Sequence, residues 1–216
     1  VYDNLHNKVN CYDPSKDDSY WITQCLSSWR KEDGPQKVHY SQQDCLKSTG
    51  SHSKSISVTE FLDFFTDLGE KKPDIMLEVK DKNLSAIKCI NCTTPNKNIK
   101  ALELEWSRYK YAVLEKSPNY YKKIRDLLKD KYSYPAIDFY RLIEHAYAQE
   151  VNPGNCVNAA SHSWGYFKGM ASLEEKERFF NLLQICQGKG SSMNPLKRFL
   201  YKLAEKYKQE YFHNSY

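Results

Sequence analysis

Five side chains in the first half of the chain have the chemistry of metal ligands: Asp3, His6, His39, His52 and Glu78. Asp3 and His6 stand in Asp3-Asn-Leu-His6, just past a strand-like start at Val1–Asp3. His39 closes the strand-like run 36–40, with Lys37 two residues earlier on the same face, and His52 lies in the polar loop that follows. Glu78 closes the apolar run 74–79. Proteins built from β/α units gather their ligands just past the C-terminal ends of the strands. Three consecutive strands that each end in a carboxylate or an imidazole are therefore expected to form a metal site, and mixed His/carboxylate sets favour zinc, manganese or iron over magnesium or calcium. Plainer roles stay open on spacing alone, since a carboxylate after a strand also serves as a helix cap and a histidine in a polar loop as surface. Glu78 is harder to read that way. An unpaired charge inside Ile75–Val79 would cost several kcal/mol, so it calls for a metal or an ion pair.

The elements that must position these groups alternate up to about residue 90. After the first strand comes a polar loop, then a helix over 17–31 with Trp21, Ile22, Cys25, Leu26 and Trp29 at helical spacing. The strand 36–40 and a Ser/Lys-rich loop over 41–55 follow. Ser57 and Glu60 are spaced as a capping box for a helix that Gly69 ends. A buried strand over 74–79 and a helix over 84–90 complete an order that implies parallel β/α units. Past a linker at 93–98 the strand pattern stops. Six helices are expected over 99–116, 118–131, 135–150, 156–170, 172–188 and 194–212, with Ser117-Pro118 and a Ser172/Glu175 capping box as start signals and Gly188-Lys-Gly190 as a stop. The fold class expected is α/β followed by all-α, with domains at 1–95 and 96–216.

The charge divides at the same place. Of 32 basic and 27 acidic residues, the first hundred positions carry 14 of each, so the whole excess of +5 belongs to the second part, with 13 of the 17 tyrosines. Basic-plus-aromatic composition suits nucleic acid through phosphate attraction and base stacking, and equally a helical domain with solvated lysines. No apolar run approaches the ~18–20 residues of a membrane span, and no signal peptide opens the chain, so a cytoplasmic protein without membrane contact is expected. Seven scattered cysteines fit reduced thiols, and Cys89-Ile-Asn-Cys92, the only close pair, is a weak zinc or redox signal. The chain starts at Val1 without a Met, which is expected of a fragment or a trimmed product.

The motifs Val1-Tyr-Asp-Asn-Leu-His6, Pro35-Gln-Lys-Val-His-Tyr-Ser41, Ser51-His52 and Pro73-Asp-Ile-Met-Leu-Glu-Val-Lys-Asp-Lys82 resemble, in order and spacing, the C-terminal part of the UV damage endonucleases. The resemblance covers residues 1 to about 90 and implies the last three β/α units of a (β/α)8, TIM-type barrel. It implies Asp3, His39 and Glu78 as ligands of one ion in a three-metal cluster, His6 and His52 as ligands of a neighbouring ion, manganese as the divalent metal, and Lys37 as a lysine beside the cluster that can be carboxylated. The implied reaction is phosphodiester hydrolysis in double-stranded DNA on the 5′ side of UV photoproducts. The family's remaining ligands, a further Glu and three His, and its lesion-probing residues have no counterpart here. The missing N-terminal half of the barrel is thus an expected partner, and the isolated chain is expected to be inactive.

The second half resembles, through Trp106–Tyr121, His162–Lys168, Glu174–Lys176 and Leu196–Tyr211, a helical bacterial domain of unknown function that is also found fused to desulfidases acting on thiolated pyrimidines. Read as a nucleic-acid accessory, it would present Arg108, His162, Trp164, Tyr166 and Lys168 on an exposed face, while His145 reads as a core-edge histidine. The rival reading is a non-catalytic helical nucleic-acid- or protein-binding module that carries a barrel remnant.

Overall fold

A computed structural model describes residues 1–70, 73–95, 98–188 and 192–215. Two compact units emerge, Val1–Pro95 and Asn96–Tyr216.

The first unit holds a small parallel sheet with helices packed on it. Strands β1 (Tyr2–Asp3), β2 (Lys37–Tyr40) and β3 (Asp74–Leu77) lie in the order β1-β2-β3, with Tyr2 opposite Val38, Asp3 opposite His39, and His39 opposite Met76. Between them run α1 (Asn4–Asn10), α2 (Asp18–Leu26) and α3 (Val58–Asp67), and α4 (Asn83–Thr93) follows β3. Side chains alternate across a strand. Tyr2, Val38 and Tyr40 therefore turn one way, into a core with Ile22, Phe61, Phe64 and Cys89, where the Tyr40 ring lies 4.5 Å from that of Phe64. Asp3, His39 and Met76 share the other face, and on it Met76 is 54% exposed.

Four expectations need correcting in this unit. The polar loop after β1 is the helix α1, because Asp3 caps it by accepting the His6 N–H at 2.9 Å. The second helix stops at Leu26, and Trp29 instead ties a turn by donating its indole N–H to the Gly34 carbonyl. The Ser57/Glu60 box does not form; the Ser57 N–H donates to the Gln42 amide oxygen at 2.6 Å, which fastens the 41–57 loop instead. Strand β3 is half-exposed rather than buried, since the helices cover only one face of the sheet. Gly69 ends α3 as expected, with φ +56°, where a Cβ would be strained.

The second unit is helical: α5 (Ile99–Lys116), α6 (Pro118–Leu127), α7 (Ala136–Tyr147), α8 (Pro153–Trp164), α9 (Leu173–Cys186), α10 (Asn194–Lys206) and a short α11 (Glu210–His213). Ser117 accepts the Tyr120 N–H at 3.4 Å, and both bonds of the Ser172/Glu175 box form at 3.2 and 2.9 Å. Helices α8, α9 and α10 close on Trp164, Phe167, Phe179, Leu196 and Leu203. The long last helix breaks: Lys208 takes φ +50°, and the Gln209 N–H bonds back to Ala204, which ends α10 as a helix end does. The linker positions Asn96 and Lys97 and the stop residues Lys189 and Gly190 lie outside the described residues. Among the described residues no helix is long and apolar enough to cross a membrane.

Candidate metal centre

The first unit assembles its candidate ligands by three local devices. Asp3 ends β1 and caps α1, so one carboxylate oxygen is committed to the His6 N–H while the other receives the His6 ring Nδ1 at 2.9 Å and faces the His39 Nδ1 at 4.0 Å. The helix-cap reading and the ligand reading of Asp3 are compatible, because they use different oxygens. Glu78 is placed by the sheet: its N–H donates to the Tyr40 carbonyl at 2.9 Å, which continues the ladder one residue past β3 and sets the side chain on the His39 face.

His52 is placed by its loop. Gln43 and His52 form an antiparallel bridge, and the Ser53 N–H donates to the Gln42 carbonyl at 2.8 Å. Buried polar side chains hold the frame. Asn4 bonds both the N–H and the carbonyl of Ser41, Ser85 accepts the Ile56 N–H, and the buried Lys88 ammonium reaches the Ile56 carbonyl. Asn4, Ser85 and Lys88 were missed from sequence. A buried lysine is legible only once its burial is known, although Asn4 stands beside Asp3 in the first motif.

Glu78 is the hinge of the arrangement. One oxygen lies 2.9 Å from the His39 Nδ1 and the other 3.6 Å from the His52 Nε2. Two groups result, Asp3/His39/Glu78 and His6/His52/Glu78, each with one potential ligand atom per residue within 4.8 Å of the others. The His6 and His52 rings meet edge-on at 5.4 Å. All five side chains are partly exposed, so an ion could be reached from solvent.

The hydrogen bond that the His6 ring gives to the Asp3 carboxylate, with the charges of Asp3 and Glu78, raises the His6 imidazole above its usual range. Burial works to raise the Asp3 carboxyl, but the His6 hydrogen bonds and the two imidazoles outweigh it and hold it below the usual carboxylate range. Lys37 is exposed, two residues before His39 on the same face, or about 6.6 Å down the strand. Of the close cysteine pair, Cys89 is committed to the hydrophobic core.

Of the residues expected on an exposed face of the helical unit, two do not belong to one. Trp164 is 7% exposed and stacks on Phe179 with centroids 4.3 Å apart. Arg108 is tied to the buried Glu105 at 2.7 Å. Tyr166, Lys168 and His162 are exposed, with Tyr166 stacked on Tyr211 at 5.7 Å. His145 is exposed too, rather than at the edge of the core, and lies against the Tyr120 ring.

Comparison with known proteins finds relatives for both parts of the chain. Residues 110–216 match a family model described as a protein of unknown function (DUF1722). A UV DNA damage endonuclease of Clostridium perfringens (strain 13 / Type A) is 44% identical over 152 residues, which are 67% of this chain and 34% of that protein. A putative UV-damage endonuclease of Acanthamoeba polyphaga mimivirus is 36% identical over 64 residues, 29% of this chain and 19% of that one. The chain thus spans about a third or less of the length of the curated relatives it matches. No solved structure matches it with significance.

Proposed function

We propose that residues 1–95 form part of a divalent-metal-dependent DNA repair endonuclease that hydrolyses a phosphodiester on the 5′ side of UV photoproducts. The observation that carries this reading is Glu78 lying between His39 and His52, which joins two three-ligand groups through one carboxylate. Asp3, His39 and Glu78 would hold one ion and His6 and His52 a neighbour, with manganese as the metal. Bound divalent ions would lower the pKa of a water and stabilise charge on the phosphate and the leaving oxygen. In this reading the three strands are the last of a (β/α)8 barrel, and further β/α units complete both the barrel and a three-metal cluster. The uncovered sheet face supports that, because parallel sheets are ordinarily covered on both faces. Lys37 would adjust occupancy of the cluster from below. The relatives' names support DNA as the substrate, and the match to the Clostridium protein is longer than either unit, so it runs across both.

The test has two arms. Manganese binding to the purified chain should be saturable and should fall in His39→Ala; a chain that binds no manganese, zinc or iron in the micromolar range overturns the reading. Joined to the remaining two thirds of the Clostridium relative, the chain should nick UV-irradiated plasmid with manganese, and Glu78→Ala should abolish the nicking.

A second reading is favoured by the family model, which covers the helical half and not the sheet. In it the helical unit is a nucleic-acid-binding module that acts apart from catalysis. Residues 99–216 alone would then keep the whole DNA affinity of the chain, and residues 1–98 would have none.

A further inference from the structure

Within the helical unit a cavity of about 560 Å³ lies among α5, α8, α10 and α11, inside the ~300–1,000 Å³ typical of small-molecule sites. Its α8 wall is one helix face of buried small side chains, Cys156, Ala159, Ala160 and Ser163. At ~1.5 Å of rise per residue that wall runs for about 10 Å. Ala112 on α5 leaves the space equally open, and Leu200 and Met193 add aliphatic surface. The Ser163 hydroxyl donates to the Ala159 carbonyl of its own helix at 3.0 Å, so the wall has no spare hydroxyl proton to offer. Phe212 and Tyr111 also line the cavity, but they stack on each other with centroids 5.5 Å and planes 11° apart. What is left for an occupant is mainly aliphatic and longer than it is wide.

The charged groups that line the same cavity are three cations and two carboxylates. Lys197 is already matched: its ammonium meets the largely buried Glu115 carboxylate at 2.6 Å. Arg198 and Lys202 stand one turn apart on α10, both exposed, and among the described residues neither is in an ion pair. Glu205 alone opposes them. An apolar channel with two unmatched cations beside it fits an amphiphile with an anionic head. A guanidinium can take a carboxylate through two parallel hydrogen bonds, whereas an ammonium head would be repelled there.

We propose that this cavity binds a straight-chain fatty carboxylate, with the chain along the α8 wall and the head on Arg198 and Lys202. The site lies wholly in the helical unit and does not rest on the metal-centre reading.

The test is isothermal titration of the 216-residue chain with decanoate at low salt. Binding should saturate at one site and tighten from hexanoate to decanoate by about two- to fourfold for each methylene added. The double variant Arg198→Gln/Lys202→Gln should bind decanoate about tenfold more weakly, the loss expected for a hydrogen-bonded charge. Decylammonium should bind the parent at least tenfold more weakly than decanoate does. Ala112→Leu fills the channel and should lose binding while keeping the parent's denaturant midpoint; if it unfolds the chain, the double variant and the chain-length series decide. A chain that takes up no decanoate overturns the proposal. So does an affinity that ignores chain length, equal binding of decylammonium, or a double variant that binds like the parent. Sedimentation of the same samples covers the remaining occupant. A dimer that Ala112→Leu converts to monomer would place a second copy of the chain in the channel and overturn the proposal too.

Discussion

Glu78 and His39 meet at 2.9 Å across neighbouring parallel strands, while the other Glu78 oxygen turns to His52 on a loop. One carboxylate thereby spans two sets of donors that the chain delivers by different means, one by sheet register and one by a tied loop. In the proposed metal centre, a ligand shared in this way would make the two sites interdependent.

That interdependence fixes the order of effects in a ligand scan. Glu78→Ala should weaken manganese binding at both groups, by more than about 100-fold, since even outer partners of metal ligands contribute 10–100-fold. His6→Ala should weaken only the group it shares with His52. Isothermal titration of the variants would read this as loss of all binding against loss of one class of site. Equal effects of the two substitutions would show that Glu78 does not bridge.

Metal uptake should depend on pH through His6. A histidine must be neutral to bind a cation, and the Asp3 hydrogen bond keeps His6 protonated above its usual ~6.5. Manganese affinity should therefore fall as pH drops through that raised value. Without metal the sign reverses: the Asp3–His6 pair adds stability in full below ~6.5 and loses it as pH rises through the folded value. Titrations and thermal melts of the metal-free chain over the same pH range check both signs, and His6→Gln should flatten both profiles.

Arg108 should matter to folding. Burial pushes the Glu105 carboxyl up, against the pull of the Arg108 guanidinium and the Tyr140 hydroxyl. Arg108→Ala should cost about 3–5 kcal/mol at neutral pH by leaving that charge uncompensated. Because the folded value lies above the unfolded one, the loss should shrink as pH falls and Glu105 takes up a proton. Urea unfolding at neutral and acid pH measures it, and a loss confined to DNA affinity would contradict it.

Trp164→Ala should destabilise the helical unit by about 3–5 kcal/mol, as a buried aromatic removed from a stack does. Tyr166→Ala, on an exposed ring, should cost far less. Denaturant midpoints of the two variants give the comparison.

The acid limb of the helical unit's stability should carry Glu175. Hydrogen bonds from Lys206, Tyr207 and the Ser172 N–H hold its carboxyl down to about 2. The stability this adds is present in full above the unfolded value of ~4.3 and is lost as pH falls towards 2. Glu175→Gln should remove that slope from a pH series of thermal midpoints, and an unchanged slope would count against the bonds that cause it.

Much of this was legible one residue at a time. The strand–helix order, the parallel pairing it implies and the Ser117 and Ser172 caps follow from short-range patterns of side-chain type, and the structure repeats them. Signals that need a partner failed. Ser57 and Glu60 have the spacing of a capping box, but Gln42, distant in sequence, takes the Ser57 N–H first. Trp164 reads as exposed among polar neighbours, yet Phe179 from the next helix covers it. Arg108 has the chemistry of a phosphate ligand, and a buried carboxylate one turn away consumes it.

The sequence by itself determined the division of the chain and the types of ligand available, because strand alternation, helix periodicity and charge are local properties. Only the tertiary structure decided that Asp3 faces His39 as well as its own helix, that Glu78 faces two imidazoles, and that a tied loop brings His52 back to them. Those facts depend on parallel register and on buried amides closing a loop, and such long-range contacts leave no period in the chain that forms them.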